Sequence, residues 1–344
     1  MKILAFDHHT ARYGAGGGML SCAGFHADRP LLGVLGDLCR LPGVEVTLLR
    51  APGLARLQLP DAVRVIPCAP ERAAETVGAC IADADAVWPV VPESYGMLEL
   101  ASRHILGCGS LLLGSRPDAV SVAASKHETA RVLKAAGIAV VDTFLLHDAL
   151  PAGASAWVVK PDDGAGCSET RIYADCDAAR LATGERDGGR YVMQPYLRGA
   201  HRSMSMVCAD EQVLLMSVNE QRMAVFDNQL HYMGSTVNGV REQQRQCRAL
   251  AERVIGALPG LWGCVGIDFI MTEDGPVVLE VNPRVTMAHA ALRQSTGHNP
   301  AQLLLELLLG KSCAPLEARR IKPVSIDISP FPEPPESRHR NAAG

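Results

Sequence analysis

The stretch GCVGIDFIMTEDGPVVLEVNPR, Gly263 to Arg284, constrains the fold of this chain more than any other. Two apolar, β-branched runs flank Thr272-Glu273-Asp274-Gly275, which is turn chemistry, so the stretch reads as a β-hairpin. Glu280 and Asn282 are two apart and leave the same face of their strand. If the loop is Glu273-Asp274-Gly275, Asp268 lies opposite Glu280 and three oxygen-bearing side chains converge. A two-residue Asp274-Gly275 loop turns Asp268 to the other face instead. Gly275 suits the left-handed position that closes a three-residue loop, so that loop, or one of equal parity, is expected. Two carboxylates beside an amide oxygen suit a hard divalent cation that keeps sites for water and phosphate oxygens, as Mg2+ does. Arg284, just past Pro283, carries a fork that fits a phosphate or acyl phosphate. An ordinary edge hairpin with exposed acids is the plain structural alternative.

Composition narrows the class. With 344 residues, the chain is long enough for two or three packed subdomains. A hydrophobic content of 48% and a net charge of −4 fit a soluble globular protein with no polyanion-binding character, so nucleic acid is not an expected partner. The 11 cysteines are scattered without a CxxC pair or a histidine cluster at metal spacing, which favours reduced thiols and a cytoplasmic location. MKILAFDHHT reads as a strand start and not as a signal peptide, and no apolar run is long enough to span a bilayer.

From the N-terminus, Lys2 to Phe6 is a short buried strand that breaks into Asp7 and then a glycine loop, Gly14 to Gly18. Such a loop lets backbone amides approach an anion, and Gly16 and Gly17 are its central glycines. It is not GxGxxG, so a dinucleotide site is not expected. A helical period from Leu31 to Leu41, a strand from Val44 to Leu49 and another from Ala84 to Val91 predict a small open α/β sheet. Ligands bind at the carboxyl ends of such strands, which groups Asp7, the glycine loop and Glu93 near one crevice. For Glu93 a substrate role and a solvated loop acid are equally open. Ser125-Lys126-His127-Glu128 is a capping box opening a helix that closes at Gly137. Lys126 in its first turn opposes the helix dipole, which an anion would relieve, although position alone favours a solvated lysine. The strand Trp157 to Lys160 then delivers a lysine just ahead of Asp163-Gly164-Ala165-Gly166-Cys167-Ser168, whose glycines allow close approach to phosphates. No helix opens there, so this is not a Walker A loop. Tyr191 to Leu197 is a strand running into a connector, and Ser203 to Cys208 pairs with Gln212 to Val218. Asn219 and Gln221, alternating beyond that strand, either line an acceptor pocket or are surface polar residues. Arg241 to Ala257 and Ala301 to Leu309 are helical, and a loose tail follows.

Taken in order, Lys126, VVKP with DGAG, VMQPYLRG and GIDFI…GPVVLEVNPR resemble the ATP-grasp superfamily of carboxylate–amine ligases, from Lys126 to about Gly310. The region before it resembles the α/β domain that precedes such modules. The resemblance implies an α+β fold with four parts: an N-terminal α/β domain over 1–117, a mobile lid over 118–190, a core with the metal site over 191–325, and the tail over 326–344. It implies that Lys126 and Lys160 contact ATP phosphates, that the loop from Asp163 through Gly164, Gly166 and Cys167 closes over them, and that Gln194, Pro195, Tyr196 and Leu197 hold adenine by backbone bonds. Asp268, Glu280 and Asn282 would bind Mg2+ or Mn2+, and Arg284 and Lys160 would act in catalysis. The GAGGG loop, VVPESYGMLE, KPDDGAGC and SVNEQRM followed by Tyr232-Met233-Gly234 are similar to the tyramine–glutamate ligase family of methanofuran biosynthesis and its bacterial relatives. Three departures stand out: Ser125 where an Asp is usual, Ser168 where an acid is usual, and His201 where many ATP-grasp enzymes place an acid facing the nucleotide.

What this implies is an ADP-forming ligase. ATP would phosphorylate a carboxylate, and an amine would displace the phosphate to leave an amide. The expected partners are small-molecule carboxylate and amine substrates and a second copy of the chain, with no membrane. Glutamate and tyramine or tyrosine come from the resemblance alone. Another amino-acid or peptide ligase, and a nucleotide-binding protein that ligates nothing, are the alternatives.

Overall fold

The computed structural model describes residues 1–7, 28–311 and 321–328, apart from 53, 55, 56, 152, 184–190, 210, 211 and 241. Five parallel strands form the first sheet: β1 (Lys2–Asp7), β2 (Glu45–Arg50), β3 (Val63–Pro67), β4 (Ala86–Val90) and β5 (Leu111–Leu112), in the order β3-β2-β1-β4-β5. Helices α1 (Asp28–Leu38), α2 (Ala73–Asp83) and α3 (Met97–Gly107) alternate with these strands. β1 and β4 are buried on both faces, which is why their sequences are apolar throughout and do not alternate. The chain reverses order beside β1, and the carboxyl ends of β1 and β4 there carry Asp7 and the Glu93 turn.

Helices α4 (Pro117–Ala124) and α5 (Lys126–Ala135) lead out of this layer. Ser125 Oγ accepts the Glu128 N–H at 3.1 Å, the half of the expected capping box that fixes the start of α5. The Glu128 carboxylate instead pairs with Arg131 at 2.9 Å. Gly137 follows the helix with φ 67°, a left-handed stop that suits a residue without Cβ.

The second sheet takes β6 (Phe144–Leu145), β7 (Trp157–Pro161), β8 (Arg171–Tyr173), β9 (Tyr191–Pro195), β10 (Ala200–Ala209), β11 (Gln212–Phe226), β12 (Gln229–Val237), β13 (Gly263–Thr272) and β14 (Gly275–Asn282). Its order is β14-β13-β10-β11-β12-β8-β7-β9-β6, with β15 (Val324–Asp327) pairing beside β12. Helix α6 (Cys176–Thr183) packs on β7 and β8, while α7 (Gln244–Ala257), α8 (His289–Thr296) and α9 (Pro300–Leu308) cover the larger half. One apolar cluster, including Leu35, Val207 and Leu304, joins the first sheet to the second. Another packs Leu133 and Val254 beneath β10, β13 and β14, a third, with Leu4, Ile81 and Ile105, fills the other face of the first sheet, and a small fourth one, around Trp157, Val159 and Met193, belongs to the β6–β9 segment. Where α1 crosses α8, a Cβ on Gly33 would stand 3.1 Å from Ala290 Cα, so the helices meet backbone to backbone. Asp37 is buried at that crossing and accepts from Arg293 Nε at 2.8 Å.

Two expectations are corrected here. The β13–β14 loop has two residues, Glu273 and Asp274, because Thr272 pairs with Gly275. Asp268 still lies opposite Glu280, since a β-bulge at Leu279 shifts the register between Asp268 and Phe269. The pairing was expected from turn parity, but it is made by an extra residue within the strand. Secondly, Ile326 and Asp327, placed in the loose tail by sequence, complete β15. Gly234 makes room for them: a Cβ there would stand 2.1 Å from Ile326 O. The expected tail beyond Ile328, like the glycine loop with Gly16 and Gly17, lies outside the described residues. Among those described, no helix is long and apolar enough to cross a membrane.

Candidate active site

A cavity of about 180 Å3 lies between the β6–β9 segment and the face of β10, β11, β13 and β14. The hairpin supplies its acids. The bulge turns Leu279 and Glu280 to the same side, so both line the cavity opposite Asp268. Asn282 Nδ2 approaches Asp268 Oδ2 at 3.5 Å, and Gln221 Nε2 donates to Asp268 Oδ1 at 3.2 Å. Burial, and then the charge of Glu280, raise the Asp268 carboxyl well above the usual carboxylate range. Burial pushes Glu280 the same way, but Lys126 and Lys160 outweigh it and hold Glu280 below its ordinary value. The two carboxyls are therefore pushed in opposite directions, and a cation between them would offset their repulsion.

Both lysines reach this acid pair. Lys126 is 5% exposed, so it is not the solvated lysine its position suggested. Its ammonium donates to Gly164 O at 2.7 Å and to Asp162 O at 3.1 Å, and stands 3.5 Å from Glu280 Oε2. Lys160 is delivered by β7, and burial lowers its pKa while the charge of Glu280 acts against that shift. The loop after β7 is drawn over the lysines by Lys126, and Asp162 Oδ1 also caps His127 N at 2.9 Å. Gly164, Gly166 and Cys167 line the cavity. Cys167 takes φ 61° and its thiol is pushed up to about 12, chiefly by burial, so it stays a neutral wall residue. Asp163 points away, its carboxylate accepting the Tyr95 N–H at 2.7 Å.

At the far end, Gln194, Pro195, Tyr196 and Leu197 line the wall. Gln194 is fixed through Nε2 to Thr143 Oγ1 at 2.8 Å, and Tyr196 N–H is already donated to Ala156 O at 2.9 Å. Leu197, two residues beyond the end of β9, completes this wall. His201 on β10 also faces the cavity, and burial, then Lys160, lower its pKa.

Other candidates fall elsewhere. Glu93 is neither solvated nor facing the cavity: it is 5% exposed and accepts both Nε and Nη2 of Arg284, the latter at 3.0 Å. The Arg284 fork expected for a phosphate is thus held by a carboxylate, while Nη2 also touches Asn282 Oδ1 at 3.3 Å. Asp7 is fully buried and paired with Arg50 at 2.9 Å, which removes it from a substrate crevice. Asn219, also fully buried, donates to Ser203 and Ser205 and accepts from Asn238 N. It braces β10 and β11, whereas Gln221, two residues on, does face the cavity. Sequence reasoning missed Thr143 and Tyr95. Nothing local marks Thr143, and the sign at Tyr95 was Gly96 after it, which extends a left-handed turn (φ 58° and 66°).

A small β6–β9 segment facing the β10–β14 platform across a cavity with two lysines and paired acids is the arrangement that the family comparisons bear on. Residues 123–288 match the ATP-grasp domain family and residues 44–120 the pre ATP-grasp 3 domain family, and the chain belongs to the ATP-grasp superfamily. It is 23% identical over 217 residues to the tyramine–L-glutamate ligase of Methanocaldococcus jannaschii, an alignment covering 63% of this chain and 60% of that one. It is 24% identical to D-alanine–D-alanine ligase A of Pseudomonas putida, over 57% of this chain and 63% of that one. The chain therefore spans about three-fifths of the length of these two relatives. The crystal structure of an ATP-grasp superfamily protein from Archaeoglobus fulgidus superposes with a TM-score of 0.65 at 20% identity, covering 96% of this chain and all of that one.

Proposed function

We propose that the chain is an ATP- and Mg2+-dependent carboxylate–amine ligase that forms ADP. The observation that carries this reading is the convergence of Asp268, Glu280 and Asn282 with Lys126 and Lys160 in one cavity beneath the glycine loop. A nucleotide binder that transfers nothing has no need of phosphoryl-transfer ligands. The donor set fits the metal: two carboxylates and an amide are hard oxygen ligands, and the Glu280 charge that helps raise the Asp268 carboxyl is negative charge that a cation would offset. The Asn282 amide now presents Nδ2 to Asp268, and holding a cation needs its oxygen there instead. Bound Mg2+ would neutralise charge on the phosphate oxygens.

The remaining work falls to side chains. Lys126 and Lys160 would hold the phosphates, and Lys126 would exchange its loop carbonyls for them. The wall from Gln194 to Leu197 would seat adenine. A substrate carboxylate oxygen would attack the γ-phosphorus as ADP leaves; an amine nitrogen would then attack the acyl carbon, expelling phosphate and losing a proton. Arg284, positioned by Glu93, would steady the acyl phosphate, and the closed loop would exclude water, which hydrolyses such intermediates. The same reading divides the chain into an N-terminal α/β domain to residue 117, a lid over 118–190 and a core beyond. For substrates we propose the side-chain carboxyl of glutamate with tyramine or tyrosine, as in methanofuran-type cofactor synthesis; the support is the similarity to the tyramine–glutamate ligase together with the motifs around Glu93 and Tyr232. Measuring ADP release across a panel of carboxylate and amine pairs tests both levels. ADP with other pairs would retain the ligase and overturn the substrates, and no ADP with any pair would defeat the ligase.

A further inference from the structure

Two contacts that serve different parts of the cavity meet on one short turn of the N-terminal layer. Glu93 holds the fork of Arg284, 191 residues away in sequence. Two residues on, the Tyr95 N–H donates to Asp163 of the glycine loop at 2.7 Å. The turn is unusual in itself: Tyr95 and Gly96 are consecutive left-handed residues, at φ 58° and 66°. A tyrosine there carries a steric cost that glycine would not, and the conformation aims the Tyr95 amide outward at the loop. The loop is strained too, with Gly166 at φ 66°, Cys167 at 61° and Glu169 at 51°. Two of these are not glycines, so closure needs compensating contacts. Asp162 supplies one locally, to His127 N at the start of α5. Asp163 supplies the one that crosses to the N-terminal layer.

We propose that the Glu93–Gly96 turn is a catch for the lid, gripping the closed glycine loop through Asp163 while it positions Arg284 through Glu93. The N-terminal layer then does more than flank the nucleotide site: it joins loop closure to the placement of the arginine. The contact stands on geometry alone; its catalytic consequence rests on the ligase reading, in which an open loop admits water to the acyl phosphate.

Hydrogen exchange and limited proteolysis of the full chain without nucleotide test the catch directly. Asp163→Ala should raise exchange of the Tyr95 amide and cleavage within residues 162–168 by at least tenfold, and Asp163→Asn, which keeps an acceptor oxygen, by much less. Tyr95→Gly keeps the N–H and adopts the turn freely, so the loop should stay protected. Tyr95→Val disfavours the left-handed conformation and should release it. Unchanged protection in Asp163→Ala, or equal protection in Tyr95→Gly and Tyr95→Val, would overturn the proposal. With a pair that the wild type ligates, Asp163→Ala should form more ADP per amide than the wild type, and an unchanged ratio would remove the catalytic role. If the wild type ligates nothing, the ligase reading fails while the exchange results still decide the catch.

Discussion

The acid pair shows how much a single residue carries. Asp268 and Glu280 sit in one buried pocket, and their environments push their proton affinities apart. Glu280→Gln removes the carboxylate nearest both lysines without changing shape. ADP formation should fall by at least the hundredfold to thousandfold seen when one preorganised group is lost, with the far-ultraviolet spectrum unchanged. Normal turnover of a folded Gln variant at saturating Mg2+ would dispose of the metal site. Lys160→Ala takes a buried lysine from the proposed phosphate site, and ATP should bind roughly 10- to 150-fold more weakly by calorimetry. His201 gives a pH signature. Its value is lowered from the ordinary 6.5 by burial, so the folded chain binds fewer protons there than the unfolded one. That contribution to stability is present in full above the ordinary value and is lost as pH falls below it. Between about pH 7.5 and 5.5 the melting midpoint of the wild type should drop further than that of His201→Gln; parallel curves would show that His201 stays solvated.

At the scale of elements, the hairpin separates two ways of setting register. Turn parity was the basis for expecting Asp268 opposite Glu280, and on that basis a residue inserted between Asp274 and Gly275 would destroy the site. The bulge at Leu279 changes the expectation. Pairing near the acids is held by Ile267, Phe269, Val278 and Val281, all buried, and by Val278, whose N–H and C=O bond Ala139 O and the Val141 N–H. An inserted residue only lengthens a two-residue turn, at a cost of about 0.6 kcal/mol or less. The insertion variant should keep its ADP formation and lose little in melting midpoint; an inactive but folded insertion variant would return control of register to the turn.

For the whole molecule, the site depends on how the N-terminal layer docks on the core. Gly33 and Asp37 make that docking close, one by lacking a side chain and the other by holding Arg293. Gly33→Val should force α1 away from α8 and destabilise the protein by about 1–3 kcal/mol, as overpacking does, measured by denaturant unfolding. A neutral result would mean that the two layers adapt freely. The sequence by itself determined what depends on neighbours a few residues apart: buried strands from apolar runs, the Ser125 cap that starts α5, Lys160 ahead of its glycines, and the shared face of Glu280 and Asn282. Strand alternation and helix capping are local physics, and they are written locally. The tertiary structure alone decided the fate of Glu93, Asp7 and Asn219, the burial of Lys126, the bulge at Leu279 and the grip of Tyr95 on Asp163. In each case the deciding partner is a distant segment or the packing of a whole face. A side chain's charge and reach are legible in its letter, but what it meets is set by which surfaces the folded chain brings together.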